Sequence, residues 1–111
     1  MTWRGRLVST GKCVEIITED GVIRSATEIA ELENPPWISP GWIDLQVNGF
    51  AGFDFNGEVT TAEDVIGVTK AMLARGVTTY LPTVITGSFE RIRQALTAIA
   101  EACDSSELVE A

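Results

Sequence analysis

An α/β fold is predicted for this chain on three observations. From residue 42 onward, strand-like and helix-like segments alternate twice; the links between them are short; and the residues before 37 carry β-prone runs without a helical period. Strand, loop, helix, strand, loop, helix is the order of βα units in a parallel sheet. The expected organisation is an N-terminal β segment at 1–37 followed by two βα units at 38–111.

The elements are taken in chain order. Cys13 to Thr18 (CVEIIT) and Val22 to Ile23 are rich in β-branched residues, and Glu19-Asp20-Gly21 lies between them. Asp-Gly accepts the positive φ angles of a tight hairpin turn, so antiparallel strands are expected. Pro35-Pro36 breaks the pattern, and Ser39-Pro40-Gly41 is a turn-rich approach to the next element. In Trp42 to Asn48, the residues Trp42, Asp44, Gln46 and Asn48 alternate with Ile43, Leu45 and Val47, the period of a strand. Gly49 and Gly52 follow in a glycine-bearing loop. Thr60 and Glu63 have capping-box spacing, and Val65, Val68, Met72 and Leu73 recur at helical intervals until Gly76 ends the run. Val77 to Ile85 reads as a second strand, with a bulge or early end at Pro82, which cannot donate to a ladder. Ser88 is a good N-cap for a second helix, whose stripe is Phe89, Ile92, Leu96, Ile99 and Cys103. Leu108 and Val109 are placed to lead into a further strand.

Composition narrows the function classes. Apolar residues make up 45% and charged residues 22% of the 111 positions, a globular balance that argues against disorder. The net charge of −8 opposes binding to nucleic acid or to an anionic membrane surface, leaving small molecules as the better ligands. Glu101, Asp104, Glu107 and Glu110 read as solvated surface. The two cysteines, Cys13 and Cys103, are too few and too far apart for a disulfide scaffold and read as reduced thiols. No signal-peptide pattern or apolar run of about 20 residues is present, so a cytoplasmic location is expected. Histidine is absent, which removes the commonest general base and zinc ligand.

The size is also informative. A closed (β/α)8 barrel takes roughly 250 residues. Two parallel strands with two helices bury too little apolar area to offset chain ordering, so a larger assembly is expected to complete the sheet.

The segment PGWIDLQVNG at Pro40 to Gly49 resembles the first barrel strand of the amidohydrolase superfamily, which typically reads Pro-Gly-x-Ile-Asp-x-His-x-His there. Gln46 and Asn48 stand where the two histidines would be. That replacement, with GFAGFDFNG and GVTTYLPTVITGS downstream, is similar to the N-acetylglucosamine-6-phosphate deacetylase family. The resemblance covers Ile38 to about Cys103.

The resemblance implies that 1–37 is part of a small β-sandwich and 38–111 the first two βα units of a (β/α)8 TIM-type barrel. It implies a hydrolase that cleaves a linear amide, deacetylating N-acetylglucosamine 6-phosphate to glucosamine 6-phosphate and acetate, homodimeric when full length. One divalent metal, zinc or iron, is implied, with its ligands and the aspartate acid/base beyond Ala111. A carboxamide is a weak metal donor, so Gln46 and Asn48 hold none, and this piece alone is expected to be inactive without tight metal binding.

Site-lining roles fall to Gln46, Asn48, Gly49 and Thr83, and no catalytic residue to this chain. Against these stand blander readings. Without the resemblance, Gln46 and Asn48 are simply the solvent side of a strand. The resemblance makes Asp44 a structural residue of the Ile-Asp pair rather than a metal carboxylate. Gly49 and Gly52 match no phosphate-binding fingerprint and serve loop geometry. Thr78 and Thr79 follow β propensity, whereas Thr83 lies near the strand end where such barrels keep their sites. Trp3, Trp37 and Trp42 are expected to pack. Two alternatives remain open: another amidohydrolase, dihydroorotase-like or deaminase-like, or a non-catalytic α/β module that binds a ligand or partner.

Overall fold

A computed structural model describes residues 1–110 in two compact units, one ending at Pro40 and one starting at Gly41. The division falls slightly beyond 37/38 because Trp37 and Ile38 pair with Arg6 and Leu7.

In the first unit, β1 (Thr2–Leu7), β2 (Cys13–Glu19), β3 (Val22–Glu28) and β4 (Trp37–Ile38) form one sheet ordered β3-β2-β1-β4. β1 and β2 pair antiparallel, as do β2 and β3, while β4 joins β1 in parallel. The turn between β2 and β3 has Asp20 at φ 51° and Gly21 at φ 75°, the left-handed pair that the Asp-Gly dipeptide favours. β1 was not read from the sequence: TWRGRL mixes charges and a glycine into a strand fixed by its neighbours. Cys13 and Val14 are buried, but Trp3 and Trp37 are exposed, which corrects their expected packing role. The Arg6 guanidinium instead lies 5.8 Å from the Trp37 ring centre, donates to the Gly11 carbonyl at 2.7 Å and pairs with Glu31.

In the second unit, β5 (Trp42–Val47) pairs in parallel with β8 (Val77–Pro82), joined through α1 (Ala62–Leu73). Between them, β6 (Gly49–Phe50) and β7 (Phe53–Asp54) form a small antiparallel ribbon where a loop was expected. Its turn places Ala51 at φ 54° and Gly52 at φ 92°. β8 stops at Pro82, the early end anticipated from its missing N–H.

α1 is capped by Thr61, not Thr60, and the box closes with Asp64 in place of Glu63. The reason is tertiary. Thr60 is buried, its hydroxyl donates to the Phe55 carbonyl at 3.0 Å, and its backbone N–H donates to Gln94 Oε1 at 3.2 Å. Thr61 is left to cap, with its hydroxyl accepting from the Asp64 N–H at 3.2 Å.

α2 (Phe89–Ser105) begins at the expected N-cap Ser88, yet its fully buried residues are Ala95, Ala98 and Ala102. The expected stripe is therefore corrected: Phe89 and Leu96 are exposed, and α2 meets the core through alanines, which allow a close approach. α3 (Glu107–Glu110) replaces the expected lead-in to a strand, with Val109 packed on the core. Position 111 lies outside the described residues. The core is Val47, Phe55, Val65, Val68, Met72 and Ala102, with the Phe55 and Tyr80 rings stacked 6.3 Å apart. Trp42 is exposed, again against expectation. Glu101, Asp104, Glu107 and Glu110 are exposed as expected, and both cysteines are free thiols.

Candidate functional site

Val47 is the hinge between core and site. It is the buried residue of β5, and its carbonyl accepts from the Thr83 N–H at 2.8 Å, so the two parallel strands end side by side. Ligands of open α/β sheets gather at such carboxyl ends. Asn48 and Thr83 stand there.

A cavity of about 470 Å³ opens beside β5, lined by Asp44, Gln46, Asn48, Gly49, Phe50 and Arg75 among others. Three of the four residues singled out from the sequence, Gln46, Asn48 and Gly49, thus share one concavity. Thr83 is not among its lining residues; its hydroxyl donates to the Leu81 carbonyl at 3.3 Å. Gln46 and Asn48 are both exposed, and Gln46 N–H donates to Asp44 Oδ1 at 3.1 Å, so Asp44 shapes its own strand. A Cβ on Gly49 would sit 2.5 Å from the Phe53 carbonyl oxygen, so glycine is required for the β6–β7 ribbon to close.

Exposure of the two amides does not by itself make this a plain surface. On the opposite face of β5, Ile43 and Leu45 are 66% and 72% exposed, so the strand lacks an apolar cover that a self-sufficient sheet would have.

Two contributors escaped the sequence reading. Arg75, just past α1, lines the cavity; it carries no motif. Asn56 joins the strand ends: its Nδ2 donates to the carbonyls of Asn48 at 3.2 Å and Thr83 at 3.0 Å, and its Oδ1 accepts from the Ile85 N–H at 2.7 Å. The FDFN run held the residue, but nothing in its spacing announced that reach.

The donor set does not fit a metal. Among the described residues no three His, Cys, Asp or Glu side chains come together, and Gln46 and Asn48 offer only neutral amides. Nor is any described helix long and apolar enough to cross a membrane.

No family model matches the chain. It is 42% identical over 74 residues to an N-acetylglucosamine-6-phosphate deacetylase of Caenorhabditis elegans, covering 63% of this chain and 18% of that protein. It is 28% identical over 95 residues to an N-acetylglucosamine-6-phosphate deacetylase of Haemophilus influenzae, covering 86% of this chain and 24% of that protein. With an N-acetylgalactosamine-6-phosphate deacetylase of Shewanella it shares 45% over 64 residues, 58% of this chain and 16% of the other. The crystal structure of N-acetylglucosamine-6-phosphate deacetylase from Pasteurella multocida superposes with a TM-score of 0.64 at 23% identity, over 96% of this chain and 32% of that one. That likeness speaks for the fold alone. The chain spans about a fifth of the length of the curated relatives it matches, and within that span it is similar to N-acetylamino sugar 6-phosphate deacetylases.

Proposed function

We propose that this chain is a piece of a metal-dependent amidohydrolase that removes the acetyl group from an N-acetylamino sugar 6-phosphate, N-acetylglucosamine 6-phosphate first. The observation that carries the reading is the 42% identity over 74 residues to a deacetylase of that name. The polar end of β5, in a segment that resembles the family, lends it support. In this reading the first unit contributes to a small β-sandwich, and β5-α1-β8-α2 are the first two βα units of a (β/α)8 barrel. The uncovered Ile43 and Leu45 are what an unfinished barrel would leave open.

The role of these residues is to bind and orient. Gln46 and Asn48 present donors and acceptors suited to the hydroxyl and acetamido groups of a sugar, and Arg75 offsets the charge of a phosphate against an acidic chain. A zinc or iron ion would have its ligands outside the described residues, so no step is routed through it. The acid/base group likewise lies elsewhere. A homodimer in the cytoplasm is the proposed setting, with neither nucleic acid nor membrane as partner.

The test is a chimaera in which this chain replaces the matching segment of the C. elegans relative. It is expected to release acetate from N-acetylglucosamine 6-phosphate, and Gln46→Ala with Asn48→Ala is expected to lower kcat/KM about tenfold or more, the size of one lost hydrogen bond to a bound group. A chimaera that folds, binds its metal and releases no acetate rejects the reading.

A further inference from the structure

We propose that Asn56 is a positioning residue: its carboxamide ties together the C-terminal ends of β5 and β8 and so sets where Asn48 is presented. Calling Asn48 a substrate-facing residue rests on the reading above; the tie itself rests on geometry. The parallel ladder fails here, because Pro82 has no N–H to give and the register between the strands shifts between Asp44 and Val47. Asn56 supplies what the ladder lacks. In one plane its side chain offers two donors and an acceptor, and all are engaged: the Asn48 and Thr83 carbonyls take the donors, and the Ile85 N–H takes the acceptor.

Asn56 is itself held from both sides. Its N–H donates to Asp54 Oδ1 at 2.7 Å, and its carbonyl accepts from the Arg91 guanidinium, which also reaches the Gly57 carbonyl at 3.1 Å. Arg91 lies in the first turn of α2, so the Asn56 side chain joins the end of β5 to the residues after β8 while its backbone carbonyl ties the same loop to the helix that follows. The Asn48 carbonyl also accepts from the Phe55 N–H at 3.0 Å, which leaves the exposed Asn48 side chain on a fixed backbone.

The test is residue-resolved amide exchange on the full chain, comparing Asn56→Ala and Asn56→Asp with the parent. In Asn56→Ala, the Phe55, Thr83 and Ile85 amides are expected to exchange about tenfold faster, the effect of about one net hydrogen bond. Trp42, whose N–H donates to the Gly76 carbonyl at 2.8 Å at the other end of the strand pair, is expected to hold its rate. In Asn56→Asp the carboxylate still accepts from Ile85 but repels the two carbonyls. Phe55 and Thr83 should therefore accelerate while Ile85 stays protected, a split that general loosening would not produce. If Asn56→Ala fails to fold, Asn56→Asp decides alone. An unchanged Thr83, or a Trp42 amide that accelerates in step with it, overturns the proposal. Because the measurement uses no substrate, its failure is separable from that of the deacetylase reading.

Discussion

Tyr80 is half-buried against the core, and its hydroxyl lies 2.8 Å from Thr69 Oγ. The Thr69 hydroxyl also donates to the Val65 carbonyl at 2.8 Å, so its one proton is committed and Tyr80 is the donor between them. Burial pushes the phenol above its ordinary 10.0. On ionisation, Thr69 can turn its proton to the phenolate only by abandoning Val65, which offsets the desolvation in part. The proton is held more tightly in the folded state. Its contribution to stability is therefore complete below the unfolded phenol's value near 10.0 and lost as pH rises through the higher folded value. The chain has a single tyrosine, so tyrosinate absorbance reads this directly. The folded chain should titrate above the denatured one, and Tyr80→Phe should cost about 0.5–1.5 kcal/mol near neutrality while abolishing the alkaline loss. Coincident titrations of folded and denatured chain would exclude it. Of the residues lining the cavity, Gln46, Asn48 and Gly49 were legible because they lie on one strand. Arg75 was not, since only the end of α1 brings it there; nor was the tie made by Asn56, which depends on the closed loop.

Among the elements, α1 shows how packing overrules a local pattern. Thr60-Thr61-Ala62-Glu63-Asp64 contains two overlapping capping boxes, and the sequence favours Thr60 with Glu63. The core claims Thr60, so the helix starts one residue later. Thr61→Ala is expected to cost about 0.5–2 kcal/mol in urea unfolding. Asp64→Ala combined with it should fall short of additivity by about 0.5 kcal/mol or more, because both changes break one reciprocal pair. Strict additivity would assign the cap elsewhere. The hairpin at Asp20-Gly21, the Ser88 cap and the stop at Pro82 were readable because each is set by one residue's own backbone. The buried stripe of α2 and the start of α1 were not, because neighbours distant in sequence decide which side faces inward.

At the scale of the whole molecule, strand alternation told which face of β5 is apolar but not what lies over it, since cover is a property of other segments. The same separation governs assembly. In the first unit β1, β2 and β3 are successive partners, so their pairings close over short stretches of chain. In the second, Trp42 pairs with Val77 across the whole of the intervening α1. Hairpins close in about 1–10 μs, whereas non-local pairing carries a larger loop-closure cost and is slower. Trp3 and Trp37 report on the first unit and Trp42 on the second. In stopped-flow refolding, a Trp42→Phe chain is therefore expected to complete its fluorescence change before one that keeps Trp42 alone, and the reverse order would refute this. On a ribosome the interval lengthens. The meander has all its partners once Glu28 has cleared the exit tunnel, while Ile43 and Leu45 stay bare even after β8 has paired with β5, which makes β5 the stretch on which a holdase chaperone would settle.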